Sequence, residues 1–198
     1  ITGMIVTVNW LDGQDGLAAG VSAILALVIG IHMFRSEQYS VVPQALALLG
    51  ASAGFLVYNV SPARVFLGSS GAFFLGYVMA ALGLIAGARV ATVLLVMSIP
   101  IVDVAWTILD RWRHGVSPFR GDRRHLHFRL QDAGLSGRTI VAIYWTFCAV
   151  AGALALLLSS RIVKLIALVV SAGLTILVLL YLSRSRTDPV NQVEQTGE

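Results

Sequence analysis

NWLDGQDGLAAGVSAILALVIGIHMF, residues 9–34, sets Asp12 and Asp15 three positions apart, flanked by glycines, directly before an apolar run from Leu17 to Phe34. A membrane-crossing helix needs about 20 mostly apolar residues. The run therefore predicts a helix in lipid, with an acidic loop at its edge. An unpaired carboxylate at that depth is expensive. The chain has only ten acidic residues among 198, so two crowded here imply a metal ion, a polar substrate, or both.

Composition supports the membrane reading. The chain is 57% hydrophobic and 12% charged, with a mean hydropathy of +0.83, whereas soluble domains carry roughly 25% charged residues. The net charge is +4, and thirteen of the fourteen basic residues are Arg, with Lys164 the exception. Arginine grips phosphate with a planar two-pronged fork, so this bias favours phosphate binding; a GC-rich genome would produce it too. The single cysteine, Cys148, lies in an apolar run and reads as a small buried hydrophobe.

Apolar segments run over residues 1–8, 17–34, 41–58, 71–88, 90–109, 139–158 and 162–182. The first is too short to cross a bilayer and reads as the end of a helix, so the chain is expected to begin inside a larger protein. The fold class is all-α: a polytopic transmembrane bundle of about six helices plus the end of another. Residues 1–183 form one membrane unit, and 184–198 form a polar, disordered tail. Gly20, Gly30, Gly50, Gly54, Gly83, Gly87 and Gly152 suit close helix contacts in lipid.

Counting crossings assigns the loops to two sides. Loops 9–16, 59–70 and 110–138 and the tail share one side, with ten arginines; the other side holds Arg35, Arg89 and Arg161, with Lys164 just beyond. The positive-inside rule places the first side in the cytoplasm. Three polar loops on one face of a bundle can build one site.

Each loop carries its own chemistry. In NWLDGQDG the glycines let the backbone approach a ligand, and the carboxylates can hold a hard cation such as Mg²⁺ while phosphate oxygens complete its shell. The alternative is that Asp12 or Asp15 caps the following helix. In NVSPARVFLGSSGAFFLG, residues 59–76, a Gly/Ser turn opens a helix and suits an anion, or serves as an ordinary cap. In SPFRGDRRHLHFRL, residues 117–130, His125 and His127 lie among four arginines. That set fits a pyrophosphate better than zinc; a basic loop attracted to anionic lipid explains the arginines but not the histidines. Asp103 lies within an apolar segment after Pro100. It is a functional candidate by its location, or it bonds a freed backbone N–H or a neighbouring helix. A transporter or channel segment would also tolerate it, but no inverted repeat accompanies it.

Together and in this order, these motifs resemble the polyprenyl-phosphate N-acetylhexosamine-1-phosphate transferases, glycosyltransferase family 4, which includes phospho-N-acetylmuramoyl-pentapeptide transferase. NWLDGQDGLAAG is similar to that family's Asn-x-x-Asp-Gly-x-Asp-Gly segment. Residues 59–76 are similar to its Asn-x-x-Pro-Ala-Lys-x-Phe-x-Gly-Asp-x-Gly-Ser segment. PIVDVAWTILDRWRHGVSPFRGDRRHLHFRL is similar to its Pro-Ile-x-Asp segment and His loop. The resemblance covers the chain to about Ser183, as the family's C-terminal portion. It implies transfer of HexNAc-1-phosphate from a UDP-sugar to a polyprenyl phosphate at the cytoplasmic face of a bacterial plasma membrane, with Mg²⁺, in cell-envelope synthesis. It further implies Asp12, Asp15, His125 and His127 as catalytic residues, Asp12 as metal ligand, and Asn9, Asn59, Gly68, Ser69, Arg123 and Arg124 as substrate-binding residues. Membrane lipid and a second copy of the chain are implied partners; nucleic acid is not.

Four positions depart from the family pattern: Ser69 in place of a metal-binding Asp, Ala72 in place of Ser, Phe128 in place of the last His, and Val6 in place of a frequent Asn. The family's adjacent aspartate pair would lie before residue 1. These departures motivate the competing expectation of a catalytically degenerate or truncated relative that serves as a membrane scaffold or nucleotide-sugar binder.

Overall fold

The computed structural model describes residues 1–85, 90–113, 125–158 and 160–184, which are helical with short connections and contain no strand. The helices are α1 (Thr2–Leu11), α2 (Leu17–Arg35), α3 (Val42–Asn59), α4 (Gly68–Ile85), α5 (Val90–Val96), α6 (Ser98–Arg113), α7 (Leu126–Asp132), α8 (Gly137–Leu157) and α9 (Arg161–Arg184). Five of them are long and apolar enough to cross a membrane, or six crossings if the bent α5–α6 pair counts as one. The chain is a polytopic membrane helical bundle, as its composition implies. The expectations placed on Gly87, Arg89, Arg120, Arg123, Arg124 and the tail beyond residue 184 fall outside the described residues.

α2 is the hub. Its sequence is apolar all round, and such a helix is stable when neighbours enclose it. It packs on α3, α8, α4 and α1 and is buried along most of its length. α9 is the opposite case, with most of its large apolar side chains, among them Val169, Val170 and Leu177, exposed. In lipid those side chains need no protein partner.

Small residues set the closest helix contacts. At Gly20 on α2 the indole of Trp145 from α8 occupies the space a Cβ would take, and Gly152 on α8 receives Val28 of α2 in the same way. At Gly76 on α4 an added Cβ would lie 2.7 Å from the Ile5 Cα of α1. The sequence pattern selected Gly20, Gly83 and Gly152 correctly and overlooked Gly76. Gly50 and Gly54 have nothing within 4 Å among the described residues, so the close contacts expected there are not among those the described helices make.

The continuous helix expected over 90–109 is also corrected. It breaks at Met97, where α5 and α6 meet at 76°. Pro100 explains the break: it has no N–H for the Val96 carbonyl, and its ring clashes with that carbonyl in a continuing helix. The chain therefore restarts as α6, with Pro100 in the first turn, where proline is tolerated. α6 continues to Arg113, and the loop after it contains a helix, α7, that was not anticipated.

Candidate active site

α1 ends at Asp12, its C-cap residue, and α2 begins after Gly16, whose φ of +80° favours glycine. The loop between them is held on both sides. From the end of α3, Asn59 Oδ1 accepts from Gly16 N at 3.0 Å, and Asn59 Nδ2 donates to the Val65 carbonyl in the connection to α4 at 2.9 Å. Asp15 Oδ2 accepts from Ala63 N at 3.0 Å. From the α7 side, Gln14 Nε2 donates to Gln131 Oε1 at 3.2 Å. The three polar loops thus meet, as the count of crossings anticipated. Neither aspartate makes a side-chain cap on α2, which removes capping as the reason for the pair.

The Asp12–Asp15 loop and the α3–α4 connection enclose a cavity of about 230 Å³ lined by Asp12, Gly13, Gln14, Asp15, Asn59, Phe66, Leu67 and Gly68. Asp12 is half-buried, and desolvation pushes its carboxyl up from 3.8 to about 6. Its carboxylate makes no ion pair or hydrogen bond among the described residues, so the cavity holds an uncompensated acid. Gly68 opens α4 with φ +68°, and Ser69 beside it is exposed. Asn9, in the last turn of α1, is half-buried and does not line this cavity. Phe66 and Gln14 do, although sequence reasoning passed over both. The one aromatic ring in the connection that follows Asn59 was the available signal for Phe66.

His125 and His127 stand together behind the loop. His125 is the extended N-cap residue of α7, with ψ 152°. That backbone turns its ring parallel to the His127 ring, with centroids 5.7 Å apart. The His127 ring fills the space where a Gly13 Cβ would be. It is 0% exposed, neither ring nitrogen has a partner among the described residues, and burial lowers it from 6.5 to about 4. His125 packs against Trp10, with ring centroids 5.0 Å apart, and the Arg111 guanidinium lies 4.9 Å from the centroid of the same Trp10 ring. Arg111 is 1% exposed and Arg129, 3.9 Å from Asp110, is 7% exposed. Both guanidinium groups thus lie inside the protein, although the sequence places these arginines in a polar, basic loop.

The residues fit a magnesium ion of a particular kind. No group of three His, Cys, Asp or Glu side chains converges as a metal cage among the described residues. Mg²⁺ commonly takes one or two carboxylates and fills its shell with water and substrate phosphate. Asp12, raised and with no side-chain partner among the described residues, is a carboxylate that could fill such a place. One oxygen of Asp15 is committed to Ala63, and both ends of the Asn59 amide are engaged.

The family model described as "Glycosyl transferase family 4" matches residues 1–87. A probable undecaprenyl-phosphate N-acetylglucosaminyl 1-phosphate transferase of Bacillus subtilis is 31% identical, over 73% of this chain and 42% of the relative. A decaprenyl-phosphate N-acetylglucosaminephosphotransferase of Mycobacterium tuberculosis is 35% identical, over 72% of this chain and 41% of the relative. A phospho-N-acetylmuramoyl-pentapeptide-transferase of Moorella thermoacetica is 38% identical, over 70% of this chain and 43% of the relative. The chain spans about two fifths of the length of the curated relatives it matches.

Proposed function

We propose that this chain, which belongs to glycosyl transferase family 4, carries part of the site at which HexNAc-1-phosphate passes from a UDP-sugar to a polyprenyl phosphate at the cytoplasmic membrane face. The observation that carries the proposal is the cavity of the Asp12–Asp15 loop, with an uncompensated acid inside it and two stacked histidines behind it. An oxygen of the polyprenyl phosphate attacks the β-phosphorus of the UDP-sugar. The bond from that phosphorus to the bridging oxygen breaks, and UMP leaves with the oxygen.

The chain's residues divide this work. Asp12 is the carboxylate for Mg²⁺, which when bound neutralises the diphosphate and the leaving UMP. Asp15 and Asn59 hold the walls of the cavity, and Phe66, an exposed ring at its rim, offers a stacking face for a nucleobase. Gly68 lets the backbone approach a phosphate. His125 and His127 serve the sugar-phosphate side. The site lies where helices end, so an acceptor phosphate reaches it while its hydrocarbon tail stays in lipid.

The test is release of UMP from UDP-HexNAc by the full-length parent with polyprenyl phosphate and Mg²⁺. Turnover that vanishes in Asp12→Asn supports the proposal; no turnover with any UDP-HexNAc rejects it. Ser69, exposed at the position where the family pattern has a metal-binding Asp, favours a second reading, a nucleotide-sugar binder without turnover. That reading expects Mg²⁺-dependent UDP-sugar binding without UMP release, and Ser69→Asp to raise activity if that position alone disables the site.

A further inference from the structure

Asp103 is 4% exposed in the middle of α6, where an ionised carboxylate is costly unless it is compensated. Both of its oxygens are used, and both point to the same segment. Oδ1 accepts from the Leu126 backbone N–H at 2.7 Å, and Oδ2 lies 3.3 Å from His125 Nδ1. One turn along α6, Thr107 Oγ1 lies 3.4 Å from the same nitrogen. His125 Nε2 has no hydrogen bond among the described residues.

From this geometry we infer that Asp103 is a positioning residue: it pins the start of α7 and fixes the tautomer of His125, so that Nε2 is the nitrogen offered to a phosphate. The inference rests on the transferase reading for its catalytic consequence, but not for its geometry. An ionised carboxylate only accepts hydrogen bonds, so the Nδ1 facing it carries the proton. Neutral His125 then presents a lone pair at Nε2, which accepts from a protonated phosphate oxygen. Protonated His125 presents an N–H at the same place, which donates to a phosphate anion. In either state the ligand-facing atom is the same. The backbone bond to Leu126 carries the effect further. It sets the first turn of α7, and that turn places the His127 ring against Gly13. A carboxylate buried in the bundle thereby orients both histidines without touching the substrate, as partners behind a functional imidazole commonly do.

Asp103→Asn separates the two tasks. The asparagine oxygen still accepts from Leu126 N–H, while its amide now presents a donor to Nδ1 and forces the proton to Nε2. Solid-state NMR of the full-length parent, labelled with ¹⁵N-histidine, reads the tautomer directly; difference spectra against His125→Gln assign it. The expected result is an Nδ1–H tautomer in the unaltered protein and an Nε2–H tautomer in Asp103→Asn. In the UMP-release assay kcat falls at least tenfold, with KM for the UDP-sugar changed less than twofold. An Nε2–H tautomer in the unaltered protein overturns the inference without need of any variant. An inverted tautomer with unchanged kcat overturns the positioning role. If the unaltered protein has no turnover, the transferase reading fails, and the tautomer measurement still decides whether Asp103 sets His125.

Discussion

The His127 ring occupies the space that a side chain at Gly13 would fill, so α7 and the Asp12–Asp15 loop seat each other. A methyl group at position 13 meets the edge of a ring that is fully buried. Gly13→Ala is expected to displace either the ring or the loop. The stability cost should be about 1–3 kcal/mol, as for other overpacked contacts. UMP release should fall more than tenfold, because Asp12 moves with the loop. Thermal unfolding in detergent and the UMP assay check the two effects separately.

Asp12 and His127 give opposite pH dependences over nearly the same window. The Asp12 carboxyl is raised from 3.8 to about 6 by desolvation, so the folded protein favours its protonated form. Its contribution to stability is present below 3.8 and is lost as pH rises through 6. His127 is lowered from 6.5 to about 4 by burial, so the folded protein favours its neutral form. Its contribution is present above 6.5 and is lost as pH falls toward 4, by on the order of 3 kcal/mol. The unaltered protein should therefore show a shallow stability profile from pH 4 to 6.5. Asp12→Asn should become steeply less stable toward pH 4, and His127→Gln should become less stable toward pH 6.5. Detergent unfolding midpoints at half-unit pH steps test this. A cation that requires ionised Asp12 should bind about tenfold more weakly per pH unit below 6, read as Mn²⁺ affinity of the full-length parent.

Much of the bundle is legible because lipid imposes a simple rule on composition. The bounds of α2, α3, α8 and α9 fall within a few residues of the apolar runs that predict them. The break at Met97 was less visible because the apolar run continues through Pro100, and hydropathy is insensitive to a missing N–H. α7 was hidden for a different reason. It is only seven residues long, and a single carboxylate, Asp103, reaches from another helix to anchor its first residue. No local pattern carries that bond. The meeting of Asp12, Asp15, Asn59 and Gly68 around one cavity was legible from motifs and crossings. The burial of Arg111 and Arg129 was not, since a basic residue in a polar loop looks the same whether water or Trp10 covers it.

Glycines on the helices predict contrasting responses to alanine. At Gly76 the new methyl group meets the Ile5 backbone, which cannot rotate away. Gly76→Ala should push α1 from α4 and destabilise the protein by about 1–3 kcal/mol. At Gly50 and Gly54 the added methyl has no neighbour, and the helix gains from losing a flexible residue. Each of these changes should leave stability unchanged or raise it by up to about 1 kcal/mol. Unfolding midpoints of the three variants in one detergent decide the matter, and equal effects at positions 76 and 50 would contradict the close contact.

Asp15 and Asn59 both hold backbone groups, and changes that preserve shape separate this task from charge. Asn59 uses its oxygen on Gly16 N and its amide on the Val65 carbonyl. Asn59→Asp keeps the acceptor but sets a carboxylate against that carbonyl, and leaves a buried acceptor without its donor. A cost of about 1–3 kcal/mol follows, more for the charged form. Asp15→Asn behaves differently. The asparagine oxygen can still accept from Ala63 N, so the unfolding midpoint should stay within about 1 kcal/mol of the unaltered protein. If the negative charge of Asp15 serves the diphosphate site, UMP release should still fall by at least tenfold while the fold is retained. Loss of stability and activity together in Asp15→Asn would reduce Asp15 to a loop-holding residue. A preserved fold with normal turnover would remove it from the site's chemistry and leave Asp12 as the one carboxylate of the loop that acts on the ligand.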